Sequence, residues 1–294
     1  MTDRAQFSGD RATGVLLVLA SAAFFSLAGI LTKSIAVDAW TIAGWRGFVG
    51  GLLVAAYVAL QQRQSGGPLL PALGRKGWLV AAVSASASIL FITSFKFTSV
   101  AHAVVIYATV PFMAAAVAFL AVGDKPGVRT LLAAAIAFVG VVMTVASGSG
   151  DGHISGDLMA VGMAFGSACY LVMVRRFRDT PTVWASGVAA FMLVVPSLLM
   201  GDFTAASPQD WLLMTLFGAS FAAAVITWTE GAKRVAPEEA GFLGVAEVPV
   251  AIFLAWSLLA EQPTAATLLG GAIVLGAVLV HTIGEAKRPA AEKG

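Results

Sequence analysis

Two ionisable residues of this chain stand deep inside apolar stretches: Arg46, in Gly44-Trp45-Arg46-Gly47, and Glu247, in Ala246-Glu247-Val248-Pro249. A charge at the centre of a bilayer costs at least ~2.5 kcal/mol on insertion scales, so such side chains face a bundle interior or a watery cavity. Glu247 in that setting can act as counter-charge to a substrate amine or as a proton-carrying carboxylate. Its plainer reading is a neutral or hydrogen-bonded structural carboxyl between helices. Arg46 can attract a substrate carboxylate or brace helix ends by bonding carbonyls. Counting ~1.5 Å per helical residue sets the two charges ~10 Å apart in depth, which argues against a direct ion pair.

Two prolines add backbone chemistry at a similar depth. Proline within a helix donates no amide hydrogen and releases the carbonyl four residues earlier, which is Tyr107 for Pro111 and Val245 for Pro249. Pro111 and Pro249 are therefore candidate hinges, and the Tyr107 and Val245 carbonyls a candidate cradle for a substrate ammonium. A plain packing kink is the competing reading. Thr109 stands two residues before Pro111 as Glu247 stands two before Pro249, so the two sites would carry unequal chemistry. Phe91 and Trp228 are the aromatic candidates for an apolar substrate side chain; Phe24, Phe25, Phe95 and Tyr107 sit in comparable places.

Other chemistry is poorly supplied. Three histidines are scattered, and His102 near a span end reads as a solvated group or a pH sensor. Cys169 is the single cysteine, so an intrachain disulfide or Cys-rich metal site is excluded. The 16 Asp and Glu residues lie mostly singly in loops, without the clustered acids or His–acid pair that an intramembrane transferase needs. No charged ring or polar groove points to a channel. Neither a cofactor nor a metal is expected, no nucleic-acid partner is implied, and no nucleotide-binding loop is present.

The elements that position these residues follow from composition. The chain has 294 residues, 59% hydrophobic and only 12% charged, with mean hydropathy +0.88. Apolar runs of about twenty residues match a ~30 Å hydrocarbon core, and their continuity selects helices over barrel strands. Ten spans are expected, at 14–32, 40–60, 77–95, 101–122, 128–146, 156–174, 183–200, 211–229, 240–260 and 264–283. With the N-terminus in the cytoplasm, fifteen of the 18 Lys and Arg residues fall on the cytoplasmic side, including Lys287, Arg288 and Lys293 near the C-terminus. Only Lys33 and Lys96 fall opposite, as an outer positive vestibule or as snorkelling helix ends. By the positive-inside rule both termini are cytoplasmic. A signal-peptide reading of the N-terminus would leave nine spans and is rejected.

The chain also repeats itself. Ala108-Thr109-Val110-Pro111 and a later Gly123-Asp124-Lys125-Pro126 correspond to Ala246-Glu247-Val248-Pro249 and Ala260-Glu261-Gln262-Pro263. Five spans per half force the halves into opposite orientations, the plan of many secondary transporters. The expected domains are residues 1–150 and 151–294, each one repeat, in an all-α integral membrane protein whose ten helices form a 5+5 inverted repeat around a central cavity.

These features, together with the early arginine of the second span, resemble the EamA-type transporters of the drug/metabolite transporter superfamily. Asp124 stands where that family usually has Glu. The resemblance implies export of small metabolites, often amino acids, with aromatic amino-acid exporters among the members. It points to a secondary transporter working by alternating access in the cell inner membrane. Hydrophobic or aromatic amino acids are the first substrate reading and another metabolite or drug-like amphiphile the second. Partners are then the substrate, the bilayer and protons as a coupling ion, with a monomer or weak homodimer as the assembly.

Overall fold

The computed structural model describes residues 2–148 and 151–286, and among these every regular element is helical. The first three spans are single helices: α1 (Thr2–Ser34), α2 (Ala39–Ser65) and α3 (Gly74–Phe97). The fourth is broken into α4 (Val100–Tyr107) and α5 (Val110–Val122), bent by 41°. Then follow α6 (Val128–Ala146), α7 (Asp151–Arg176), and a seventh span split into α8 (Thr182–Met192) and α9 (Val194–Met200). The eighth is α10 (Pro208–Ala232), the ninth is α11 (Pro237–Gly244) plus α12 (Glu247–Leu259), and the tenth is α13 (Ala265–Ala286). The expected ten spans are present when α4 and α5 are taken as one. Lys287, Arg288 and Lys293 lie outside the described residues.

Proline explains each break. Pro111 and Pro249 fall within the first three residues of α5 and α12, where a missing amide costs little. The seventh span was expected to be continuous; Pro196 instead separates α8 from α9, because it cannot donate to the carbonyl four residues earlier. Elsewhere side chains start the helices. Asp38 accepts from the Trp40 and Thr41 amides at 2.8 and 3.0 Å, Ser99 from the His102 amide at 3.1 Å, and Ser207 and Asp210 form a reciprocal capping box.

The two halves pack as an inverted repeat. Helix α1 lies on α10 as α7 lies on α3, and α12 lies on α1 as α5 lies on α7. The self-related contacts α2 with α8 and α6 with α13 close the bundle. The first two spans of each half share no sequence motif, yet they occupy equivalent places. At the α6–α13 crossing a Cβ on Gly140 would stand 2.8 Å from Val274, so only glycine allows this approach. Large apolar side chains such as Leu120, Leu199 and Val280 project outward, as a lipid-facing surface requires.

Candidate functional site

A cavity of about 700 Å³ runs between the halves. Its deep end is formed by Ala28, Arg46, Ser88, Phe91 and Phe217, and its mouth by Val174, Thr182, Lys233 and Gly241. The mouth opens at the end of the bundle that carries the basic loops: Arg63, Arg75 and Lys76; Lys125; Arg178; Arg234. This is called the basic end below, and the opposite one the far end.

The far end is knitted shut. Glu261 reaches Lys33 Nζ at 2.7 Å and accepts the Val100 amide at 2.9 Å. Lys96 donates to the Ile35 carbonyl at 2.5 Å, and Asp210 accepts the Ala36 amide at 2.8 Å. Lys33 and Lys96 are therefore paired at this end and do not form the free positive vestibule considered from sequence. Correspondingly α4 and α12, the far halves of the two broken spans, pack together, whereas among the described residues α5 and α11 make no comparable contact.

Within the cavity Arg46 is only 6% exposed. Its guanidinium carbon sits 4.6 Å from the ring centres of both Phe217 and Phe221, two cation–π contacts. It donates to the Ser88 hydroxyl at 2.9 Å, while Nε has no partner among the described residues. Among the described residues no carboxylate lies within ion-pair distance, and no helix-end carbonyl is braced. An isolated buried charge costs several kcal/mol unless it is paired. The site therefore presents an unmatched cation with open hydrogen-bonding capacity.

Glu247 opens α12 and lines the same cavity. Its main-chain carbonyl accepts from the Ser26 hydroxyl at 3.0 Å, which fixes the break in the ninth span against α1. Its carboxylate makes no hydrogen bond or ion pair among the described residues, and Tyr107 lies within electrostatic range. A cation and an acid thus share one cavity without meeting. Tyr170 and Ser186 add hydroxyls 3.5 Å apart, and Ser21, Ser84 and Ser220 further small polar groups.

Residues 12–146 and 154–283 each match the EamA-like transporter family. The chain belongs to that family. Its members are membrane transporters of small metabolites, not enzymes, and the two matches are the two repeats just described. A solved crystal structure superposes with a TM-score of 0.68 at 19% identity, over 95% of this chain and 100% of the other, a likeness of fold alone. No curated protein matches the sequence.

For this EamA-type chain, the cavity brings together Arg46, Phe91, Tyr107, Pro111, Trp228, Val245 and Glu247 from the sequence-derived candidates. Thr109 and Pro249 do not line it. Thr109 is buried, its hydroxyl turned back to the Ile106 carbonyl at 2.6 Å, and Pro249 is exposed on the outside of the bundle. The expected pair of released carbonyls also fails at Val245. The chain tightens there, and the Val248 amide donates to that carbonyl at 3.2 Å. Phe95 is fully buried against the Phe91 edge and does not reach the cavity.

His102 corrects another expectation. It is buried, with Nδ1 3.2 Å from both Asp157 oxygens and Nε2 facing the Thr267 hydroxyl at 3.3 Å. Asp157 also accepts from Thr98 at 2.6 Å. This cluster beside a small far-end pocket joins α4 of the first repeat to α7 and α13 of the second.

Sequence reasoning missed Ser88, Phe217 and Phe221. A signal existed in each case: Phe217 and Phe221 are four apart, as are Ser84 and Ser88, and so each pair shares one helix face.

Proposed function

We propose that this protein exports small zwitterionic metabolites, namely amino acids with hydrophobic or aromatic side chains, by alternating access. The observation that carries the reading is the unmatched Arg46 cation at the deep end of a cavity that also holds the unpaired Glu247 carboxylate. A substrate carboxylate would supply the anion that Arg46 lacks. Its ammonium would face Glu247 and its side chain the rings of Phe91, Tyr107 and Trp228.

The orientation follows the positive-inside rule. The basic end and both termini lie in the cytoplasm of the cell inner membrane, so the cavity opens to the cytoplasm, ready to load an exported solute. We assign the two repeats to residues 1–150 and 151–294. Glu247 is the candidate proton carrier for coupling, and a monomer or weak homodimer suffices because the cavity lies within one chain.

The test is radiolabelled flux in proteoliposomes containing only this protein, screened over aromatic, aliphatic and charged amino acids. Saturable flux of hydrophobic amino acids, competed by the same amino acids but not by their N-acetylated or decarboxylated forms, supports the reading. Equal competition by forms lacking either charge overturns the zwitterion assignment.

A further inference from the structure

Glu261 and Asp124 occupy equivalent corners of the two repeats. Each follows a half-span by two residues, α12 for Glu261 and α5 for Asp124. Each is reached through a left-handed residue, Ala260 at φ 54° and Gly123 at φ 83°. Each half-span packs along a helix whose next-to-last residue is basic: Lys33 of α1 beside α12, and Arg175 of α7 beside α5.

The two corners nevertheless stand in different states. Glu261 grips Lys33 at 2.7 Å and the Val100 amide at 2.9 Å, and so ties α1, α4 and the α12–α13 corner together. Asp124 and Arg175 are both exposed, and neither has a hydrogen bond or ion pair among the described residues. The backbone shows the same difference, since α4 packs on α12 while among the described residues α5 and α11 make no comparable contact.

An inverted repeat reaches its opposite state when the halves exchange conformations around a fixed site. Contacts present in one half are then made by the equivalent residues of the other. We propose that Asp124 and Arg175 form the cytoplasmic latch of the outward-open state, the counterpart of the Lys33–Glu261 latch that closes the far end here. The difference between the two latches then biases the resting state, because a contact made in one conformation only shifts the population toward it. Asp124 in place of Glu gives the cytoplasmic latch a side chain shorter by one methylene. That favours the inward-open form. The inference rests on alternating access and is independent of which substrate is carried.

The experiment reads the side from which the cavity is reached, so it needs no substrate. In a Cys169→Ala background, Ser84→Cys places a single thiol in the cavity, and a membrane-impermeant maleimide is applied to vesicles of each orientation. The parent should label from the cytoplasmic face. Glu261→Gln should raise the outer-to-cytoplasmic labelling ratio about tenfold, and no rise would overturn the outer latch and the proposal with it. Adding Asp124→Asn or Arg175→Gln to Glu261→Gln should return the ratio toward the parent. A ratio that stays at the Glu261→Gln value would overturn the cytoplasmic latch. The reversed pair Asp124→Arg with Arg175→Asp, in the same background, should restore the outward bias. Failure to do so in folded, vesicle-inserted protein would also overturn it.

Discussion

The Arg46 guanidinium and the Ser88 hydroxyl meet at 2.9 Å, and among the described residues that is the only hydrogen bond this buried cation makes. The Phe217 and Phe221 rings lie against the guanidinium but do not neutralise it. Arg46→Gln should lower flux at least about tenfold, in line with ~1.5–3 kcal/mol for a hydrogen bond to a charged group. Arg46→Lys should recover only part, because an ammonium lacks the stacked planar fork. Ser88→Ala should raise KM less than Arg46→Gln does, since it removes a positioning contact and leaves the charge. Concentration-dependent proteoliposome flux separates these outcomes.

Glu247 shares the cavity with Arg46 but carries its own prediction. As the proton carrier, Glu247→Gln should abolish uphill uptake driven by a proton gradient while leaving equilibrative exchange of labelled substrate intact. Survival of both gradient-driven uptake and its pH dependence in the variant would assign the carboxylate to substrate binding or structure instead.

The buried His102–Asp157 pair links the two repeats at the far end. Removing one partner of a buried hydrogen-bonded pair leaves the other unsatisfied, at about 1–3 kcal/mol, and without Asp157 the buried Thr98 hydroxyl loses its acceptor as well. Asp157→Ala should therefore lower thermal stability in detergent markedly, with Asp157→Asn milder because it keeps an acceptor for Thr98. Equal melting temperatures for all three proteins would remove the pair from the account of how the far end holds together.

Asp38 offers a pH test outside the spans. Burial pushes its carboxyl up, but hydrogen bonds from the Thr41 hydroxyl and from the Thr41, Asp202 and Trp40 amides outweigh that and hold it below the usual carboxylate range. A depressed folded-state value means that the ionised cap stabilises above the unfolded value, near pH 4, and that this contribution fades as pH falls through the folded one. Asp38→Ala should cost about 1 kcal/mol at neutral pH, as helix caps do. The gap from the parent should narrow in acid, and a pH-independent gap would show that the carboxylate charge is not what matters.

Much of this protein was written locally in its residues. Apolar length set the spans, since a helix must cover the hydrocarbon layer. Lys and Arg placement separated one end from the other, as the cavity mouth at the basic end now illustrates. Pro111 and Pro249 marked the broken spans because a proline inside a long apolar run cannot donate to the carbonyl four residues earlier, although Pro196 obeyed the same rule unnoticed. The repeat was visible because its halves kept the same prolines and acidic corners.

Partnership was decided only when distant segments met. Nothing near Lys33 in sequence names Glu261 as its partner, nor Asp157 as that of His102. Rotation about helix axes determined that Glu247 lines the cavity while Thr109 turns back on its own helix. A tightened turn at the ninth-span break re-bonded the Val245 carbonyl that proline counting had released. Sequence by itself determined where charges and breaks occur, because insertion cost and helix geometry act along the chain. Tertiary packing decided which charges are answered and which are left open, because desolvation and hydrogen bonding depend on neighbours brought from elsewhere. Among the described residues Arg46 gained two rings and a hydroxyl but no anion, and Glu261 gained a lysine while Asp124 gained no hydrogen bond or ion pair.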